Sequence, residues 1–174
     1  YGNRGCLHDA AGVIRRGHVG RRWITCLLRF KDRPPRAPMP PGRYTGLFFL
    51  DEATAYAAGH RPCAECRRAD WLRFRALWSA QFGDSGADAI DARLHAARLA
   101  GRHRRLVPVA AAGVPEGAMI LQAGVPVLRH SGQWWRWSFD GYTPAPPPPT
   151  RVDLLTPEPL AVLMAQGLRV QAAV

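Results

Sequence analysis

The chain of 174 residues has a single lysine, Lys31, and only 13 acidic side chains against 24 basic ones, for a formal charge of +11. That scarcity of carboxylates excludes an acidic, self-solvating chain. With 47% hydrophobic residues, disorder is not the default either. No apolar run approaches the ~20 residues needed to span a bilayer. There is no G-x-S-x-G, no phosphate loop and no H-E-x-x-H, so the common hydrolase and nucleotide-binding readings lack support. The chain opens on Tyr1-Gly2-Asn3-Arg4 rather than on an initiator Met. Asp9 comes early and no apolar h-region follows, so this is neither a signal nor a transit peptide. A soluble cytoplasmic protein is the expectation.

What the chain does have is arginine, unevenly placed. Residues 1–82 carry 15 basic against 6 acidic side chains, whereas residues 83–174 carry 9 against 7. A basic first half attracts polyanions, of which nucleic acid, DNA above all, is the usual one. Arg15, Arg16, Arg21 and Arg22, with Arg61, Arg67 and Arg68, form a candidate phosphate-binding face whose hold would weaken steeply with salt. The alternative is a solvated basic surface.

Hydrophobic periodicity divides the chain into a basic region at 1–82 and a helix plus antiparallel β region at 83–174, packed as one unit. The fold class read from it is α+β. Trp23–Phe30 and Tyr44–Leu50 read as strands, separated by a Pro-rich loop over Arg33–Gly42. Asp51 is a good N-cap for a short helix over Glu52–Ala58 that Gly59 stops. Asp70 is expected to cap the next helix, with Trp71, Phe74 and Trp78 on one face. A further helix over 85–101 puts Ile90, Leu94 and Ala97 on an apolar stripe and Asp91, His95, Arg98 and Arg102 on a polar one. Met119–Gln122, Val125–Arg129 and Trp134–Phe139 read as short antiparallel strands turned by Ala123-Gly124 and Ser131-Gly132. A Pro-rich spacer, Pro144–Pro149, precedes a last strand at Arg151–Leu155. A C-terminal helix then runs to Gln166 and is closed by Gly167.

The four cysteines of a cytoplasmic chain argue for metal rather than for a disulfide framework. Cys63-x-x-Cys66 has the spacing of a zinc knuckle, and a closed tetrahedral Zn2+ site needs four ligands. Cys6 and Cys26 complete the set, with His8 and His60 as rivals. Cys26 has the alternative of a buried apolar residue that touches no metal. Pro62-Cys63-Ala64-Glu65-Cys66 also matches the P-C-x-x-C of zinc deaminases, but the H-x-E that moves their proton is absent.

The stretch from Asp51 to Arg67 resembles the zinc-binding domain of the Ada-type DNA alkylation repair proteins. The residues that carry the likeness are Glu52, Ala53, Ala57, Ala58, Gly59, Arg61, Pro62, Cys63 and Cys66, with His60 at an aromatic position. The resemblance implies a four-cysteine zinc site beside a DNA-facing basic surface, and a link to DNA damage. In that family the other two ligands form a close C-x-x-x-C pair, one of which accepts a methyl group. Cys6 and Cys26 form no such pair, so methyl transfer is not carried over. Cys6, in a loop near Arg4, is the better acceptor candidate of the two.

Outside the cysteines, Asp91/His95 and His8/Asp9 are the acid–base or metal constellations. They support a second reading, an enzyme of unknown reaction whose zinc is structural. Surface ion pairing is the plainer account of Asp91/His95. Trp134-Trp135-x-Trp137 could stack bases, but alternation along a strand sends Trp134 to one face and the other two to the opposite one, which favours packing. A third reading is a protein-interaction module built on the C-terminal strands.

Overall fold

The computed structural model describes residues 1–32 and 37–174. Residues 33–36 of the Pro-rich loop read over Arg33–Gly42 therefore lie outside the described residues. In chain order the elements are β1 (Gly2–Asn3), β2 (Ile24–Thr25), β3 (Gly46–Leu47), α1 (Glu52–Ala57), β4 (Arg61–Pro62), α2 (Arg68–Phe82) and α3 (Ala87–Arg98). They continue as β5 (Leu99–Ala100), β6 (His103–Arg104), β7 (Val107–Ala110), a 3-10 turn (Ala111–Gly113), β8 (Met119–Gln122), β9 (Val125–His130), β10 (Gln133–Ser138), β11 (Gly141–Ala145), β12 (Arg151–Leu154) and α4 (Glu158–Ala165). The class is α+β, with a β-rich second half and a C-terminal helix.

Six antiparallel strands form the main sheet in the order β11-β10-β9-β8-β12-β7. Both expected hairpin turns are present. Ala123 and Gly124 have φ of 50° and 79°, and Ser131 and Gly132 have φ of 50° and 73°. Positive φ at both central positions is the twist-matched geometry for two-residue connections. Two strands of this sheet escaped the sequence reading. Pro108 and Pro144 interrupt β7 and β11, and proline is tolerated there because these are the two edge strands.

One face of the sheet buries Ile120, Val127, Trp134, Val152 and Leu154 against Tyr56 of α1, Trp71, Phe74 and Trp78 of α2, Ile90 and Leu94 of α3, and Leu160 and Leu163 of α4. This cluster draws on residues from both halves of the chain. On the other face Ala53, Ala57, Met119 and Leu128 meet Trp135 and Trp137. All three tryptophans of β10 thus serve packing, on opposite sides of the strand.

The basic half holds only two-residue strands, in the order β3-β1-β2-β4. The long strands expected at Trp23–Phe30 and Tyr44–Leu50 shrink to Ile24–Thr25 and Gly46–Leu47, because the chain on both sides turns away into loops. The Asp51 cap is present as a capping box: its carboxylate accepts from the Thr54 N–H at 2.8 Å while the Thr54 hydroxyl accepts from the Asp51 N–H. Asp70 is not a cap. Helix α2 begins at Arg68, and Asp70 lies inside its first turn, paired with Arg67 and Arg73. In α3 the expected polar stripe is partly core, since Asp91 and Arg98 are both buried. No helix among the described residues is long and apolar enough to cross a membrane.

Candidate metal centre and its basic surroundings

Strands β2 and β4 run parallel, with Ile24 opposite Arg61 and Thr25 opposite Pro62. The Cys63 N–H donates to the Thr25 carbonyl at 2.9 Å, so the ladder runs to the residue where both strands end. The next side chain along β2 is Cys26, and along β4 it is Cys63. Register thus brings together two cysteines 37 positions apart in sequence. A tight turn over 63–66 then swings Cys66 back before α2 begins.

The three sulfurs lie within 4.8 Å of one another, with Cys26 and Cys66 buried and Cys63 half-buried. Tetrahedral zinc with bonds of ~2.3 Å needs sulfurs about 3.8 Å apart, a spacing compatible with this grouping. The Leu27 N–H points at the Cys66 sulfur at 3.4 Å, a donor suited to a thiolate. A hydrogen bond from Cys26 pulls the Cys63 thiol down to about 5, helped by the backbone N–H groups of Cys66 and Glu65. The same bond, with burial, pushes the Cys26 thiol up; burial foremost raises Cys66. One thiolate therefore forms at its neighbours' expense, and a cation between them would remove that conflict.

Cys6 does not join this group. It is half-buried, and its thiol donates to the His8 carbonyl at 3.5 Å. The rival histidines are engaged elsewhere. His8 shares a hydrogen bond of 2.6 Å between its Nδ1 and the Thr45 hydroxyl. Buried His60 donates from Nδ1 to the Ala55 carbonyl and accepts the Arg4 Nε–H at Nε2. This arrangement fixes a neutral ring. Burial, then the Arg4 charge, holds its pKa well below the usual histidine range. Among the described residues, Cys26, Cys63 and Cys66 are the only such His/Cys/Asp/Glu group.

The basic residues divide. Arg15, Arg16, Arg21, Arg22 and Arg68 are exposed, Arg15 being paired with Asp9. Arg61 is 3% exposed, gripped by both oxygens of Asp91 at 2.8 and 2.7 Å and lying 4.5 Å over the Trp71 ring. Arg67 is ion-paired with Glu52 and Asp70. These two belong to the fold rather than to an exposed phosphate face.

The four acid–base candidates also part company. Both Asp91 oxygens face Arg61, while His95 packs against His18, 5.0 Å away between ring centres, and against Trp23. Asp9 accepts from the Ala11 and Val13 N–H groups and from Arg15, organising its own turn. The expected side-by-side Asp91/His95 pair is replaced by these separate contacts.

What the sequence reading missed is a second cationic cluster around Trp23. The guanidiniums of Arg4 and Arg98 each lie 3.9 Å from its ring centre. Arg98 donates to the carbonyls of Gly59 and Arg21, and Arg104 to those of Ala57 and Leu155. A signal was available: Arg98 follows Ile90 and Leu94 at four-residue steps, on the stripe that faces the core. Compared with known proteins, the chain matches no family model, no curated protein and no solved structure.

Proposed function

We propose that Cys26, Cys63 and Cys66 hold one zinc ion, and that the region it orders binds nucleic acid, DNA foremost, in a role linked to DNA damage. The observation that carries this reading is the convergence of three thiols at the shared end of a parallel strand pair. An all-sulfur donor set suits zinc among the common divalent ions. The fourth coordination position falls to solvent, not to Cys6. Zinc there would clamp β2, β4 and the start of α2, in a region whose strands are too short to hold themselves together.

The nucleic-acid part draws on the basic first half and on exposed Arg15, Arg16, Arg21, Arg22 and Arg68. The likeness of residues 51–67 to the Ada-type zinc domain supports the link to DNA damage. Alkyl transfer is not part of the proposal, since Cys6 stands apart from the thiol cluster that would activate it. No observation favours the enzymatic alternative, because His8, Asp9, Asp91 and His95 are engaged in separate contacts.

The test is binding to duplex and to single-stranded DNA across salt concentrations. Each phosphate contact contributes roughly 0.7–0.9 to the slope of log K against log salt. Replacing Arg16, Arg21, Arg22 and Arg68 with Gln should flatten that slope by about 1 for each residue in contact. Binding that is absent, or indifferent to salt, overturns the reading.

A further inference from the structure

A cleft of about 500 Å³ opens beside the Trp23 cluster. Its lining includes Arg4, Arg104, Trp23, Phe48, Trp137 and Phe139, and it includes no carboxylate. The volume lies in the ~300–1,000 Å³ range of small-molecule sites. Trp23 is buried, whereas Phe48 is 64% exposed and Phe139 92% exposed, an unusual cost for such large rings.

The electrostatics are one-sided. Arg4 is oriented by His60 and by the Ala58 carbonyl, and Arg104 by the Ala57 and Leu155 carbonyls. Carbonyls aim a guanidinium without neutralising it. Among the described residues, neither arginine has a carboxylate partner. Burial draws both down to about 10, so they remain cationic at neutral pH. The Arg104 Nε and Trp137 Nε1 donors are buried without any partner. A lone inorganic anion would satisfy the cations but leave the exposed rings unmatched. A purely apolar guest would leave the cations uncompensated.

We infer that this cleft binds a nucleotide unit, with its phosphate against Arg4 and Arg104 and its base stacked among Phe139, Phe48 and Trp137. Arginine supplies the phosphate contact and aromatic faces supply sequence-tolerant stacking. The inference rests on the cleft's own residues and not on the exposed arginines of the basic face. The unit could come from a free mononucleotide or from one position of a single strand.

The test is calorimetric titration of the full chain with AMP, adenosine, inorganic phosphate and an eight-nucleotide oligo-dA. AMP or the strand should bind at least about tenfold more tightly than adenosine or phosphate. Phe139→Ala should weaken that binding about fivefold or more, without lowering the thermal midpoint, because the ring is exposed. Arg104→Gln should weaken AMP towards adenosine. A strand far tighter than AMP identifies the strand as the source, and the reverse identifies the free nucleotide. Equal affinity for AMP and adenosine, no binding of either AMP or the strand, or indifference to Phe139→Ala overturns the inference. Duplex binding through Arg16, Arg21, Arg22 and Arg68 would persist in Phe139→Ala, so failure of the cleft and failure of the basic face are separable.

Discussion

Replacing Asp91 with Ala should be among the most damaging single changes in this protein. The side chains of Arg61 and Asp91 are 3% and 5% exposed, and two parallel bonds of 2.8 and 2.7 Å join them. Without the carboxylate, Arg61 keeps only the Pro62 carbonyl at 3.2 Å and the Trp71 face. Breaking a buried pair from one side costs about 3–5 kcal/mol, because the remaining charge stays desolvated. For a chain of this length that corresponds to a thermal midpoint lower by roughly 6–20 °C. Urea unfolding of wild type, Asp91→Ala, Arg61→Leu and the Arg61→Leu/Asp91→Leu double variant measures the effect. The double variant should recover much of the loss, since two apolar side chains leave no orphaned charge. A loss below about 1 kcal/mol in Asp91→Ala, or a double variant worse than the two single losses combined, would refute the reasoning.

Acid should destabilise the fold through His60. The unfolded ring titrates near 6.5, while burial and Arg4 hold the folded ring far below that. Its contribution is fully present above about pH 6.5. It is lost at about 1.4 kcal/mol per unit as pH falls, because only the unfolded chain gains the proton. His60→Gln should flatten that slope between pH 6.5 and 5; an unchanged slope in unfolding free energy against pH would contradict it. At Gly59 (φ 86°), an added Cβ would stand 2.8 Å from Cδ of Arg98. Gly59→Ala should therefore cost roughly 1–3 kcal/mol. Gly83→Ala has a similar φ of 83° but open space around it, and should cost less. Equal costs in thermal unfolding would deny the clash.

The elements legible in the sequence were those governed by local chemistry. The Asp51 capping box, the Ala123-Gly124 and Ser131-Gly132 turns, and the aromatic face of α2 each depend on residues a few positions apart. The misreadings came from long-range geometry. Asp91 and Arg98 read as a polar helix stripe because charged side chains default to the surface; the four-residue steps from Ile90 and Leu94 point Arg98 inward, but the Arg61 and Trp23 that receive the two side chains lie far away in sequence. β7 and β11 were hidden by prolines that only an edge position tolerates. The knuckle was readable from its two-residue spacing, and Cys26 as its partner from counting cysteines. The same count enrolled Cys6, since sequence cannot express that parallel register brings Cys26, and not Cys6, to Cys63. The Arg4/Arg98/Arg104 cluster depends on the distant His60 ring and otherwise on carbonyls, which every residue has and no pattern marks.

The central claim is the three-sulfur centre, and elemental zinc per chain tests it most directly on purified wild type and on Cys6→Ser, Cys26→Ser and Cys63→Ser. One zinc per chain is expected in the wild type and in Cys6→Ser, with loss in the other two, since among the described residues only Cys26, Cys63 and Cys66 converge. Zinc absent from the wild type, or lost on removal of Cys6 and kept without Cys26, would contradict the account.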